Sequence, residues 1–370
     1  MDLQVLSNNI RRLRIAKHFS QKALAETAGL SLPAIKNLEL AKSEPRMRTM
    51  QAIAKALDVK IYDLFQPVRE LRTARFRSVK RMQNRENVLA GVARWLDDFN
   101  YLERNLKKEK PFRLGSVKVQ CARDRLAEAA GRCRKKLGLR STEPIHDICG
   151  LLENAGVKVL SIPMASDSFF GLSVGEEDGG PAVVVNVWER ISVERRIFSA
   201  AHELGHLVLH PEAYDVSQVE ENKEEEQQAD RFAGHFLMPN EGFQKEWDEA
   251  AGLHFVDRVF KVKRIFRVSY KTVLSRLIEY GIVDSSIWKK FNSAYQRRFN
   301  RKLAFKEEPM GMDSSEPFGM QRFDFFEDRF SRLIREAVEK NKISLSRGAE
   351  MLRIGITEMQ EILNDWEAAL

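Results

Sequence analysis

The first 65 residues alternate apolar and polar positions at helical spacing, in short runs that open on a capping residue. Ser20 precedes a run with Leu24, Ala25 and Ala28 on one face, and Ser31 precedes a second with Ile35 and Leu38. A serine hydroxyl in that place accepts from a backbone N–H that the first helical turn leaves unpaired, so each serine marks a helix start. Gly29 falls between the runs, where a chain leaving a helix needs a left-handed residue. Ala25 is small enough to let the two helices cross closely. Thr49 to Leu57 gives the next amphipathic helix, and Ile61, Leu64 and Phe65 close the core. Farther on, Val88, Val92, Trp95, Leu96, Phe99 and Leu102 form one apolar stripe, expected to be packing or a dimer face.

The period shifts between residues 169 and 188. Gly175 to Gly180 reads as a turn and Ala182 to Trp188 as a β-prone strand, so a hairpin is expected. An apolar helix then runs through residues 196–209. A second follows from residue 224, with Ala229, Phe232, Ala233, Phe236 and Leu237 as its buried stripe. Residues 300–320, rich in Pro, Gly, Met and Ser, read as a linker. Short helices are expected over Phe323 to Val338 and Ile343 to Trp366. The expected fold is mainly α with a small β-sheet (α+β). It divides into a five-helix domain at 1–66, a helical connector at 67–119, a main domain at 120–299, the linker at 300–320 and a helical C-terminal unit at 321–370.

Composition narrows this picture. A chain of 370 residues exceeds one compact core, and 43% apolar with 31% charged residues is ordinary for a globular protein. No apolar run approaches the ~20 residues a spanning helix needs. The start, Met1-Asp2-Leu3-Gln4, lacks the basic flank and apolar stretch of a secretory signal, so a cytoplasmic protein away from membranes is expected. Cys121, Cys133 and Cys149 show no C-x-x-C spacing and read as reduced structural thiols. Of the overall +8, residues 1–66 hold +5 and residues 67–120 hold +8, which leaves −5 on the remainder. A basic front on an acidic body implies a polyanion partner for the front alone.

The N-terminal runs resemble the Xre/Cro family of helix–turn–helix regulators. The resemblance rests on Gln21-Lys22-Ala23-Leu24-Ala25, Ala28-Gly29-Leu30-Ser31, Ile35, Glu39, Lys42, Pro45 and Ile53-Ala54 with Ala56-Leu57. It implies DNA binding through the second helix of the motif, whose exposed N-terminal positions reach base edges in the major groove. Gln21, Leu32, Pro33, Lys36 and Asn37 are thereby nominated as base or phosphate contacts. Members often carry Arg and Gly where this chain has Leu40 and Ala41. A homodimer is expected, since such domains often read half-sites in pairs. The basic run Arg69, Arg72, Arg75, Arg77, Lys80, Arg81 and Arg85 would extend the DNA footprint. With Phe76 and Trp95 as stacking aromatics, it would instead hold an activating single-stranded nucleic acid.

The strongest chemical signal is His202-Glu203-Leu204-Gly205-His206, set between apolar residues. On a helix, His202 and His206 face the same way one turn apart and can share one Zn²⁺. Glu203 can then reach a water beside the metal without binding the metal itself. His210 lies about 12 Å along the axis from His202 and cannot join both histidines on an unbroken helix. The second helix offers Glu225 and Glu226, which periodicity alone does not separate. Asp230, one turn beyond Glu226, can accept the free N–H of a ligating histidine, whereas Ala229, one turn beyond Glu225, cannot. This choice favours Glu226. His235 and His254 read as surface or core histidines.

These residues resemble the ImmA/IrrE family of gluzincin-like metallopeptidases. The correspondence takes in Phe198 and Ala201 before the histidine motif and Leu209-His210 after it. It continues with Glu226, Ala229-Asp230, Phe232-Ala233 and Phe236-Leu237-Met238-Pro239. Gly171-Leu172-Ser173 and Val184-Val185-Asn186 fit the family's hairpin, and Val268-Ser269-Tyr270 and Arg276-Leu277 its helical scaffold. The resemblance implies one zinc per chain held by His202, His206 and Glu226, with Glu203 as catalytic base. Asp230 and His210 are expected to support the ligands, and His210 and Tyr214 are weak candidates for oxyanion donors. An extended substrate segment is expected to add as a strand at the hairpin edge. The usual target in the family is a helix–turn–helix repressor, cut to release a stress, mobile-element or defence operon. Here the target would be a partner repressor, an antitoxin or this chain itself. The competing expectation is a transcriptional regulator whose peptidase-like domain only senses a ligand or metal. Residues 344–356 resemble a further small helix–turn–helix unit, but Glu358, Glu361 and Asp365 on its last helix point to packing or a protein partner.

Overall fold

A computed structural model describes residues 2–17, 19–65, 69, 71–78, 85–117, 125–166, 169–211, 222–303 and 316–368. The chain forms two compact units, Met1–Leu71 with Met82–Asp98, and Arg72–Arg81 with Phe99–Leu370. The expected 67–119 connector is therefore not one piece. The chain enters the second unit for a short stretch, returns to the first, and then stays in the second.

In the first unit α1 (Leu3–Ala16), α2 (Gln21–Ala28), α3 (Leu32–Glu39) and α4 (Met47–Leu57) enclose one apolar cluster that includes Leu6, Ile10, Leu24, Ile35, Ile53 and Leu57. The Ser20 and Ser31 hydroxyls accept from the Ala23 and Ala34 amides, and Gly29 is left-handed at φ 65°, as the sequence pattern predicts. The expected fifth helix is a short 3-10 turn, Ile61–Leu64. Ala41 takes φ 52°, the left-handed conformation that favours glycine. The backbone of the motif is thus kept at a strain of ~1–2 kcal/mol for a residue with a Cβ.

The helix α5 (Arg85–Leu106) has residues in both units. Its whole stripe, from Val88 to Leu102, is buried within the chain, so it packs as core and offers no dimer face. Trp95 is only 4% exposed and cannot stack on an unpaired base. The side chain of Phe76 and residues Lys80 and Arg81 lie outside the described residues.

The second unit is built around a four-stranded sheet. Its strands are β1 (Ala74–Ser78), β2 (Lys158–Ile162), β3 (Phe169–Val174) and β4 (Ala182–Asn186), in the order β1-β3-β4-β2. β2 is parallel to β4, whereas β3 is antiparallel to both β4 and β1. The hairpin expected over 169–188 is present, with its strand ending at Asn186. β1 was not expected, because its arginines read as a charge run. Asp178, in the turn between β3 and β4, anchors the start of β1 by accepting from the Thr73 amide at 2.6 Å and its hydroxyl at 3.0 Å.

Helices α6 (Leu126–Lys136), α7 (Ile148–Asn154), α8 (Val193–Leu209) and α9 (Lys223–Leu237) surround the main core with α10 (Asn240–Glu249), α11 (Phe255–Phe266), α12 (Tyr270–Glu279) and α13 (Ile287–Phe299). Cys133 and Cys149 are free and buried, and burial pushes the Cys133 thiol up to about 12; Cys121 lies outside the described residues. Residues from 316 onward, expected as linker and tail, are held against this unit. Glu316 meets Lys263 at 3.2 Å, Asp324 meets Arg267 at 2.7 Å, and the Ser161 hydroxyl donates to Glu327 at 2.6 Å. α14 (Arg329–Glu339), α15 (Leu345–Leu352) and α16 (Ile356–Ala368) follow. Among the described residues no helix is long and apolar enough to cross a membrane.

Candidate functional site

Ser192 caps α8, and the apolar residues around the histidine motif bury His202, Glu203, Leu204, Gly205 and His206 together. α9 crosses α8 at Gly205. A Cβ on Gly205 would stand 3.0 Å from the Phe232 ring and 3.3 Å from the Ala229 Cα, so the absence of a side chain lets the helices touch. That contact brings the first turn of α9 over the two histidines. Glu226 then lies with one carboxylate oxygen 3.1 Å from His202 Nε2 and the other 3.1 Å from His206 Nε2, while the two Nε2 atoms are 3.0 Å apart.

These three donors fit a zinc ion. Donors around a tetrahedral zinc at ~2.0–2.1 Å lie about 3.3 Å from one another, close to the spacing found. Among the described residues, His202, His206 and Glu226 are the group whose ligand atoms converge in this way.

The second nitrogens of both rings are held as a metal site requires. His202 Nδ1 is 2.7 Å from Asp230 Oδ1. His206 Nδ1 is 3.1 Å from His210 Nδ1, and His210 Nε2 is 2.8 Å from Gln228 Oε1. One proton arrangement satisfies the series. His210 Nε2–H donates to Gln228, His210 Nδ1 accepts from His206 Nδ1–H, and His202 Nδ1–H donates to Asp230. Each ligand ring then presents a bare Nε2 to the centre. Burial lowers the pKa of His206 well below the usual range and lowers that of His210, which favours the neutral rings that a metal needs. Burial works against the Glu226 carboxylate, yet the closeness of His202 and His206 outweighs it and holds the group well below the usual carboxylate range.

Glu203 is fully buried and lies against β3. A Cβ on Gly171 would stand 3.1 Å from Glu203 Oε1 and 2.9 Å from the Val184 carbonyl oxygen, so only glycine fits there. Two contributors were missed in the sequence. Gln228 could have been found by asking what His210 would bond with. Arg75 could not, because its position depends on β1. Its guanidinium donates to Glu225 and, at 3.1 Å, to Glu226; burial alone would lower its pKa, but the two carboxylates raise it. Glu225 thus faces Arg75, while Glu226 faces the histidines. His235 bonds to Asn240 and Glu279 and His254 precedes α11, both away from the centre.

On the first unit, Pro33, Lys36 and Asn37 are exposed on α3, while Leu32 is half-buried against the core. The Gln21 amide donates to Glu39 at 2.7 Å, which holds that side chain within the domain.

Residues 152–277 match the peptidase M78 model, described as the IrrE N-terminal-like domain. Residues 10–64 match the helix-turn-helix model. The chain carries a helix–turn–helix domain ahead of an IrrE N-terminal-like domain. This is the make-up of a DNA-binding regulator with a peptidase-like domain, and the IrrE-like family is typically zinc-dependent. No curated protein matches the chain. Among solved structures it is similar to a Mycobacterium tuberculosis transcriptional regulator, at 19% identity and a TM-score of 0.30 over 50% of this chain and about half of that one (51%). It is also similar, at 12% identity and a TM-score of 0.17, to Bacillus thuringiensis PlcR in complex with the peptide PapR7 and DNA, over 99% of this chain and 98% of that one. ComR from Streptococcus suis has the same identity and TM-score, over 100% of this chain and 96% of that one.

Proposed function

We propose that this protein is a regulatory zinc-dependent endopeptidase that binds DNA through its first domain and cuts a helix–turn–helix repressor or an antitoxin. The observation that carries the reading is the convergence of Glu226 on both histidine Nε2 atoms, with Glu203 buried on the same helix. When bound, a zinc ion at His202, His206 and Glu226 supplies a Lewis acid that polarises a carbonyl and acidifies water. Glu203 takes the proton of the attacking water and returns it to the leaving amine, a role its burial supports by keeping bulk solvent away. Asp230 and the His210–Gln228 pair fix the ligand rings. His210 has both nitrogens engaged, so it is not the oxyanion donor considered above, and Tyr214 lies outside the described residues.

The test is co-expression of wild type or Glu203→Ala with the repressor or toxin–antitoxin proteins encoded beside it. Mass spectrometry should find one specific cut with wild type and none with the variant; a protein that leaves all of them intact is no endopeptidase for those targets. The contact of Arg75 with Glu226 favours a second reading, a regulator whose peptidase-like domain holds no metal and only senses. Metal analysis separates the two, since that reading requires purified protein without zinc.

A further inference from the structure

The sheet edge where a substrate segment was expected to dock is already paired. β1 runs antiparallel along β3, with Ala74 opposite Val174, Arg75 opposite Ser173 and Arg77 opposite Gly171, the residue against which Glu203 lies. The three converging donors all come from α8 and α9, so β1 contributes none of them. It arrives instead from the basic stretch, is anchored by Asp178 and by the Gly175 amide bonded to the Thr73 carbonyl, and sends Arg75 onto Glu225 and Glu226. A backbone ladder with one side chain seated among complementary groups is how sheet edges bind extended peptides. The ladder supplies affinity and the seated side chain supplies selectivity.

We propose that the β3 edge, with Glu225 beside it, is a binding site for an extended peptide segment bearing an arginine, and that the chain's own residues 74–78 are its resident occupant. Calling the incoming peptide a substrate rests on the peptidase reading; the binding site itself does not. The Arg75 and Glu225 side chains are only 11% and 23% exposed, so removing the arginine leaves a half-buried carboxylate without its counter-ion. A tethered strand also competes at an effective concentration in the ~millimolar range, which excludes weakly binding segments. Only a peptide that reproduces both ladder and arginine can replace it.

The experiment uses the full chain. Arg75→Glu sets a carboxylate against Glu225 and should release β1, so those amides of residues 169–175 that bond to β1, Gly175 among them, should exchange about tenfold faster or more than in wild type, while those bonded to β4 stay protected. A labelled peptide with the sequence of residues 72–79 should bind this variant about tenfold tighter than it binds wild type, because the tethered competitor has gone. The same peptide with alanine in place of its second arginine should lose that gain. The pair Ala74→Cys with Val174→Cys gives a control that does not depend on charge: oxidation should abolish peptide binding and reduction should restore it. Unchanged exchange in Arg75→Glu, or equal peptide binding by the oxidised and reduced pair, overturns the proposal. Peptide bound at an opened edge, with no zinc held and no target cut, overturns the peptidase reading and leaves this one standing.

Discussion

The centre on α8 and α9 and the face of α3 carry the two halves of the functional reading in opposite ways. At the centre His202, Glu203, His206, His210 and Gln228 are buried, and the rings are oriented by other groups: Asp230 sets His202, Gln228 sets His210, His210 sets His206, and Gly205 sets the spacing of the helices. On α3 the nominated Pro33, Lys36 and Asn37 are exposed, while Gln21 on α2 is held by Glu39. Burial converts sequence spacing into geometry, whereas exposure leaves spacing as a list of possibilities. Substitutions at the centre should therefore propagate, and those on α3 should stay local.

The largest effect is expected from removing a donor. His206→Ala or Glu226→Ala should lose zinc on purification while Glu203→Ala keeps about one ion per chain, as read by metal analysis. Retention in Glu226→Ala with loss in Glu225→Ala would reverse the assignment of the two carboxylates. Next come the groups that orient the rings. Asp230→Ala and Gln228→Ala should each weaken zinc binding by roughly 10–100-fold, measured against a chelator. If only Asp230→Ala does so, the His210–Gln228 pair is packing and does not orient the His206 ring. Gly205→Ala forces a methyl into the Phe232 ring and should destabilise the protein by ~1–3 kcal/mol in denaturant unfolding.

On the exposed side, Lys36→Ala or Asn37→Ala should weaken binding to the protein's own promoter by ~1–3 kcal/mol, with a smaller loss on random DNA, and leave stability unchanged. Equal losses on both DNAs would reduce these residues to phosphate contacts. The smallest effect belongs to Ala41→Gly. It relieves a left-handed alanine but frees the unfolded chain, for a net gain of about 0.5–1 kcal/mol in unfolding.

The same contrast explains what was legible. The capped helices at Ser20 and Ser31 and the left-handed Gly29 were readable because local signals and burial period agree there, and the hairpin over 169–188 because a glycine-flanked turn precedes a β-branched run that is buried throughout. The cluster of His202, His206 and Glu226 was readable because a helix fixes His202 against His206, and one turn fixes Glu226 against Asp230. β1 was not, since five residues with two arginines carry no strand signal until a neighbouring edge supplies the ladder. For the same reason Arg75 looked like part of a nucleic-acid surface. Trp95 stood under two expectations, a packing stripe and a stacking aromatic, because an aromatic in a helical stripe shows no exposure in sequence; its burial decides for packing. The residues from 316 to 329 read as linker and tail by composition, yet charge pairs to Lys263, Arg267 and Glu103 hold them down. Such long-range pairs leave no periodic trace.

Residues 72–81 lie with the second unit while residues 82–98 return to the first, so no single peptide bond parts the two. A fragment beginning at residue 99 would lack β1 and bare the β3 edge, a row of backbone donors and acceptors open to aggregation. A fragment ending at residue 66 would omit residues 82–98 of the first unit. A junction at either end of this stretch takes a piece from one unit, and one between residues 81 and 82 takes a piece from both. The first unit and the unit that holds His202, His206 and Glu226 are thus interleaved along the chain, and no exchange at one junction hands over both of them whole.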